Sequence, residues 1–400
     1  MDPLHNPFSP GAGNPPPELA GRAALLKQAE IMLGRVKAGR HEQSMLLVGL
    51  RGVGKTVLLN RMRELAESAG YGVAMVEATE SRSLPQLLVP ALRQILFQLD
   101  GMAGVSHKVK RGLRVLHSFV SGLKVKLGEF EFGLSIDSEK GAADSGDLES
   151  DLADLFVAVG EAAKDRKRAV AVIIDEIQYL SEAEMSALIM AIHRVSQRQL
   201  PVVLAGAGLP QLVGLAGRSK SYAERLFAYP PVGPLPPADA IEALRGPVAA
   251  QGVRFTDDAL IELVHVTQGY PYFLQEWGYQ AWNLATRSPI GPDVVRRATT
   301  AAVKKLDDSF FRVRFDRLAP REKNYLRALG SLGAGAKRSG DIAAALGVAV
   351  QSLAPTRSTL IKKGMIYSPA HGDTEFTVPL FNEFMHRVMP DWKPAKVSRR

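Results

Sequence analysis

Apolar residues recur at helical spacing from Glu18 through Ala24, Leu25, Ala29 and Leu33 until Gly39, which predicts an opening helix. Four apolar runs lie beyond it: Met45 to Val48, Gly72 to Glu77, Ala169 to Ile174 and Pro201 to Ala205. They are continuous rather than alternating, as strands buried on both faces are. Helical segments separate them, the first from Val57 to Glu67, so the expected fold class is α/β with a parallel sheet.

The pattern changes at a Pro-rich hinge, Pro230 to Pro237, reached through a strand-like stretch from Tyr229 to Leu235. Helical spacing then predicts Ala238 to Ala250, Thr256 to Gln268 and Tyr272 to Thr286, with Thr256-Asp257-Asp258 as an N-cap signal. Further on, Pro320 to Leu332 reads as a helix, Ser339-Gly340-Asp341 caps a second from Ile342 to Leu346, and a third runs from Ala354 to Lys363 until Gly364. Met365 to Tyr367 and Glu375 to Val378 can pair around His371-Gly372-Asp373, which completes a winged helix-turn-helix pattern. Its third helix would enter a major groove with Thr356, Arg357 and Ser358, leaving Lys362 and Lys363 near phosphates.

These shifts divide the chain into a Pro/Gly-rich arm (1–17), a nucleotide-binding domain (18–235), a helical lid (236–316), a winged helix (317–390) and a basic tail (391–400). Within the second lies an insertion, about 101–154, of segregated charge. Lys108, Lys110, Arg111, Arg114, Lys124 and Lys126 precede Gly128 without an acid, and 9 acids with one Lys follow to Asp154. Leu123, Val125 and Leu127, then Phe130, Phe132, Leu134 and Ile136, alternate as a hairpin would. The two charge blocks either neutralise each other or present a binding hairpin.

Composition narrows the chemistry. With no Cys, thiolate metal sites, disulfides and Cys nucleophiles are excluded, and 8 scattered His without an HExxH pair leave a divalent ion to oxygen ligands. The first residues lack a basic segment followed by an apolar one, and no apolar run approaches membrane-spanning length. A cytoplasmic protein with no membrane partner is expected. The net charge of +9 is unevenly spread: residues 301–400 carry 18 basic and 9 acidic side chains, the first 300 carry 32 of each. A basic module on a neutral body is the footprint of a polyanion partner.

The most specific signal is Gly49-Leu50-Arg51-Gly52-Val53-Gly54-Lys55-Thr56, a GxxxxGK[ST] loop between a strand and the helix opening at Val57. Its backbone N–H groups can curl around a polyphosphate, Lys55 neutralises β/γ-phosphates, and Thr56 can ligate Mg²⁺. The buried run Ala169 to Ile174 ends in Asp175-Glu176 at the sheet edge where ligands of open α/β folds bind. Asp175 would complete the Mg²⁺ shell and Glu176 would polarise an attacking water.

On these residues the chain resembles the AAA+ class of P-loop ATPases, in the branch similar to origin-recognition and STAND signalling ATPases. The resemblance covers most of the chain and implies ATP rather than GTP. Leu19-Ala20-Gly21-Arg22 is similar to the box that places Gly21 and Arg22 near adenine, and Asp175-Glu176-Ile177-Gln178 to the second nucleotide motif. Gly269-Tyr270-Pro271-Tyr272 resembles the lid corner whose Pro271 approaches adenine. Arg225 holds the place of an arginine finger, with Arg218 as the second choice. Where the family carries a polar sensor, Ala205-Gly206-Ala207-Gly208-Leu209-Pro210 has none, which implies slow hydrolysis. The resemblance admits ATP/ADP, duplex DNA and further copies of the chain as partners. It leaves two functions open: a DNA-binding nucleotide switch, and a STAND-like signalling ATPase whose winged helix is structural.

Overall fold

The computed structural model describes residues 1–394 except 12, 103, 105, 124–137 and 371. The chain forms two compact units, one of Arg22–Gly49 with Lys55–Val232, the other of Met1–Gly21, Leu50–Gly54 and Gly233–Arg400. Among the described residues no helix is long and apolar enough to cross a membrane.

The first unit opens with α1 (Ala23–Lys37) and β1 (Ser44–Val48), continues through α2 (Lys55–Ser68) and β2 (Tyr71–Glu77), then α3 (Leu84–Asp100), α4 (His107–Gly122) and α5 (Leu148–Asp165). It closes with β3 (Ala169–Asp175), α6 (Glu182–Gln197), β4 (Val202–Gly208), α7 (Gln211–Ser219), α8 (Ala223–Leu226) and β5 (Phe227–Ala228). The strands form one parallel sheet in the order β2-β3-β4-β1-β5. Every residue of β3 and β4 is buried, which is why their sequences are unbroken apolar or small runs. Register places Glu77 beside Asp175, Ile174 beside Gly206 and Val48 beside Gly208, so the carboxyl ends of the central strands converge.

Several boundaries differ from those the apolar pattern predicts. The opening helix begins at Ala23, after Gly21 adopts a left-handed φ of 68°, so Glu18 to Gly21 lie outside it. The fourth strand extends to Gly208. No strand covers Tyr229 to Leu235, all of them described residues: β5 has two residues and one isolated bridge joins Val48 to Pro231, because prolines supply no ladder N–H. In the insertion, α4 presents Lys108 and Arg111 to Glu161, and Arg111 and Arg114 to Glu139. Of the acidic block, Glu139 is paired with the basic block, whereas Glu161 lies beyond it on α5 and Glu149 and Asp154 pair with Lys220 and Arg194; the Arg114 hydrogen bond holds the Glu139 carboxyl below its usual range. The expected hairpin lies almost wholly outside the described residues.

The second unit contains α9 (Pro237–Ala249), α10 (Asp257–Thr267), α11 (Pro271–Leu284) and α12 (Pro292–Lys305), then a π-helical turn (Leu306–Phe311) and α13 (Arg312–Asp316). The Thr256 hydroxyl caps α10 by accepting from Ala259 N–H. α14 (Pro320–Ser331), β6 (Lys337–Arg338), α15 (Ser339–Leu346), α16 (Ala354–Lys362), β7 (Ile366–Tyr367), β8 (Asp373–Phe376) and α17 (Phe381–Val388) complete it. The three strands form an antiparallel sheet, β6-β8-β7, over a core in which Phe311 meets Phe381 and Phe384.

The arm at the chain start docks on α11. Phe8 is buried above Gly278, where an added Cβ would sit 2.7 Å from the ring. Asn6 donates to the Tyr279 carbonyl, and Trp282 Nε1–H donates to the Asp2 carbonyl. Burying a phenylalanine stabilises such an arm by roughly 2 kcal/mol.

Candidate functional site

In the first unit the glycine-rich loop hands over to α2 at Lys55, whose side chain is buried and donates from Nζ to the Gly49 carbonyl at 2.9 Å. Gly49 N–H in turn donates to the Gly208 carbonyl. The ammonium thus rests on the loop's own backbone, a bond that an arriving phosphate would replace with a charge-assisted one.

One residue further, Thr56 Oγ1 donates to Asp175 Oδ2 at 2.6 Å, while Asp175 Oδ1 accepts from Glu176 N–H at 2.8 Å. Burial pushes the Asp175 carboxyl above its usual range, against these two hydrogen bonds and the nearby Lys55 charge. A hydroxyl and a buried carboxylate in contact are hard oxygen donors, and they fit Mg²⁺, which keeps most of its shell as water and phosphate. Among the described residues no three His, Asp or Glu side chains cluster as a self-sufficient metal site.

Glu176 comes next, with φ 50° and ψ 35°, a left-handed conformation unusual for a residue with a side chain. A 3₁₀ turn, Ile177–Tyr179, begins there. Gln178 Nε2 donates to Glu176 Oε2, and Gln178 Oε1 accepts from Leu209 N–H at 3.0 Å. The absence of a polar side chain on β4 has a steric cause. A Cβ on Gly208 would lie 2.8 Å from Gln178 Oε1 and 3.1 Å from Ile177 Cγ2; one on Gly206 would lie 2.8 Å from Leu46 Cδ2. In the sequence Gln178 is only the fourth residue of a motif and has no role of its own. Its pairing with glycines on the neighbouring strand is visible only in three dimensions.

The tip of the loop, Leu50–Gly54, belongs to the second unit. Tyr272 N–H donates to the Gly52 carbonyl at 3.2 Å, next to Pro271 at the first turn of α11. Gly52 has φ 81°, and a Cβ there would lie 3.3 Å from Tyr272 Cβ. Tyr272 stacks on Phe310 at 5.1 Å, and Phe310 meets Phe311, the aromatic that packs on α17. Arg51 lies against the turn after α16: a Cβ on Gly364 would sit 2.6 Å from its Nη2. Gly269 completes the corner before Pro271, with its φ of 68° and its backbone against the Leu235 carbonyl. Val53 is buried.

The remaining sequence candidates are dispersed. Gly21 faces the Asp239 carboxylate in the second unit, and Arg22 stands at the N-cap position of α1 in the first. Arg225 is exposed on α8, its carbonyl accepting from Gln43, and Arg218 is exposed on α7. Val57 continues α2. On α16, Thr356 is half-buried and Ser358 and Lys362 are exposed. Two expected DNA contacts have other work. The Arg357 guanidinium donates to Thr374 Oγ1, Ser368 Oγ and the Asp373 carbonyl, tying α16 to the β7-β8 hairpin. Lys363 donates to Glu322 Oε2 at 2.7 Å and to the Arg317 carbonyl. Arg357, half-buried, braces the hairpin from inside, whereas Lys363 is exposed and makes its contacts at the surface.

Residues 18–204 match the family model described as AAA ATPase domain, and residues 308–385 match a domain of unknown function. No curated protein matches the chain. Among solved structures, the Walker-type ATPase PABY2304 of Pyrococcus abyssi is similar at 16% identity and a TM-score of 0.55, covering 92% of this chain and 96% of that one. The Orc1 protein of Aeropyrum pernix in complex with DNA is similar at 18% identity over 93% of this chain and 94% of that one, with a TM-score of 0.47. The RuvB Holliday junction branch migration motor of Thermotoga maritima stands at 15% identity over 94% of this chain and 96% of that one, with a TM-score of 0.45. Identities of this size speak to the fold, and the last two similarities are too low to carry an argument.

Proposed function

We propose that the chain is an AAA+ P-loop ATPase that hydrolyses ATP slowly and uses its nucleotide state to control a C-terminal winged helix that binds duplex DNA. Lys55 would hold the β/γ-phosphates, and Thr56 with Asp175 would hold Mg²⁺. The ion, when bound, neutralises charge developing on the phosphate oxygens. Glu176 would orient a water and accept its proton as the water oxygen bonds to the γ-phosphorus; the bond to the bridging oxygen breaks and its electrons leave with ADP. Gly21, Arg22 and Pro271 would face adenine, and Arg225, exposed on α8, would act as the arginine finger, in cis or toward a neighbouring copy.

The observation that carries the switch is the position of the loop tip. Gly52 is bonded to Tyr272, Tyr272 stacks on Phe310, and Arg51 abuts Gly364, so residues of the phosphate loop pack directly on the lid helix α11 and on the C-terminal module. Phosphate drawn into that loop would act on all three contacts. DNA contact is supported by the basic excess after residue 300 and by a helix-sheet arrangement that leaves Ser358, Lys362 and Arg338 exposed near Thr356 and Lys337. Binding to random duplex DNA measured against salt concentration tests it. Phosphate contacts release counterions, so affinity should fall steeply as salt rises; no binding at low salt would contradict the reading.

The signalling alternative, in which the winged helix is structural, draws on the bracing contacts of Arg357 and Lys363 and on the glycine-lined end of β4. In that case nucleotide would control a protein partner or self-assembly, and duplex DNA would leave turnover unchanged.

A further inference from the structure

We propose that Gln178 is a positioning residue for hydrolysis, an amide strut that fixes the Glu176 carboxylate to the end of β4. The inference rests on the hydrolase reading and assigns to Gln178 the place left without a polar side chain at Gly206 and Gly208. Three observations converge. The same amide donates to Glu176 Oε2 and accepts from Leu209 N–H, so it joins the turn after β3 to the backbone just beyond β4. Room for the strut exists because Gly208 has no side chain; a Cβ there would press on Gln178 Oε1 at 2.8 Å. Glu176 sits in a left-handed backbone conformation, which persists in a residue with a side chain only where its surroundings over-determine it. Here the constraints are Asp175 Oδ1 on its N–H, Tyr179 N–H on its carbonyl and Gln178 on its side chain.

The chemistry of the arrangement is directional. With Oε2 engaged by a neutral donor, Oε1 is the oxygen left to meet a water, and its direction is set by the strut rather than by a free side-chain rotation. Because the far end of the strut is the Leu209 amide, a shift in the end of β4 is transmitted to Glu176. A polar residue on β4 would reach toward a ligand itself; Gln178 instead acts through another side chain.

Two substitutions separate the halves of the strut. Gln178→Met keeps the length and removes both hydrogen bonds, whereas Gln178→Glu keeps an acceptor for Leu209 N–H and replaces the donor with a like charge facing Glu176. In each, kcat and KM for Mg-ATP turnover, the ATP dissociation constant, and amide hydrogen exchange of the segment containing Leu209 are measured. Misplacing a reacting group lowers kcat by on the order of 10- to 100-fold, and the account predicts that loss in both variants with ATP affinity held within about two-fold. Leu209 should exchange faster in Gln178→Met and at the wild-type rate in Gln178→Glu. Wild-type kcat in Gln178→Met overturns the proposal. So does a loss of kcat matched by an equal loss of ATP affinity, which would mark a structural residue. The Glu176→Gln variant serves as the control for the underlying reading: if it turns over like the wild type, or if the wild type binds ATP without hydrolysing it, that reading fails and the strut falls with it. If Glu176→Gln is inactive while Gln178→Met is not, the strut alone is wrong.

Discussion

Strands β3 and β4 run side by side in the same sheet, pair residue for residue from Val170 with Val202 to Ile174 with Gly206, and end in opposite chemistry. β3 delivers Asp175 and then Glu176, a buried carboxylate against Thr56 and a half-buried one in a left-handed turn. β4 delivers Gly206 and Gly208, whose missing side chains leave space for Leu46, Ile177 and Gln178. Equal burial and equal register thus produce unequal ends. The difference arises from which strand leads into a turn that folds back: the 3₁₀ turn after Asp175 brings Gln178 to the Leu209 N–H just beyond the neighbouring strand, so one strand leads into the polar side chains at both ends.

The comparison is broken most severely at the cation that serves β3. Lys55→Ala removes the buried ammonium and should weaken ATP binding by about 3 kcal/mol or more, read by equilibrium nucleotide binding; undiminished binding would remove the phosphate-site assignment. Next in size, Glu176→Gln keeps hydrogen bonding at the end of β3 but removes its base. ATP should still bind, and turnover should fall by on the order of 100-fold or more in a steady-state phosphate assay. Gly208→Ser tests the other strand directly by placing a polar side chain where the strut now lies. Overpacking against Gln178 and Ile177 should lower stability by roughly 1–3 kcal/mol in denaturant melts and reduce kcat without restoring it through the new hydroxyl. A rise in kcat would mean that β4 merely lacked a polar group.

The smallest expected effect lies far from both strands and extends the same lesson to charge. On α4 Lys108, Arg111 and Arg114 face Glu139 and Glu161, and at the surface Lys363 faces Glu322, beside the exposed Lys362. Lys362→Ala should lower the slope of log affinity against log salt for duplex DNA by about one, with little change in ATP binding. An unchanged slope would place the contact elsewhere on the module.

Much of the molecule is legible in its sequence because it depends on local chemistry. The loop from Gly49 to Thr56, the run from Ala169 into Asp175-Glu176, and the cap at Thr256 are each set by residues adjacent in the chain. The corner at Gly269 to Tyr272 is legible for the same reason. What the sequence withholds depends on partners far apart along it. Gln178 gains its place from Gly208 and from Leu209, 31 positions away. Nothing in the sequence signals that Arg357 bonds Thr374 and Ser368, that Lys363 bonds Glu322, or that the arm's Phe8 finds its socket at Gly278. The prolines from Pro230 onward mislead in a different way: an apolar run flanking them looks like a strand, but the missing N–H groups stop the ladder after two residues.

The central proposal is that ATP turnover is coupled to DNA binding. Steady-state ATP hydrolysis by the full chain, with and without duplex DNA, at low and at moderate salt, tests it most directly. The account predicts slow basal turnover, stimulated by DNA at low salt and losing that stimulation as salt rises. Turnover indifferent to DNA at both salt concentrations, with ATP still bound, would contradict it.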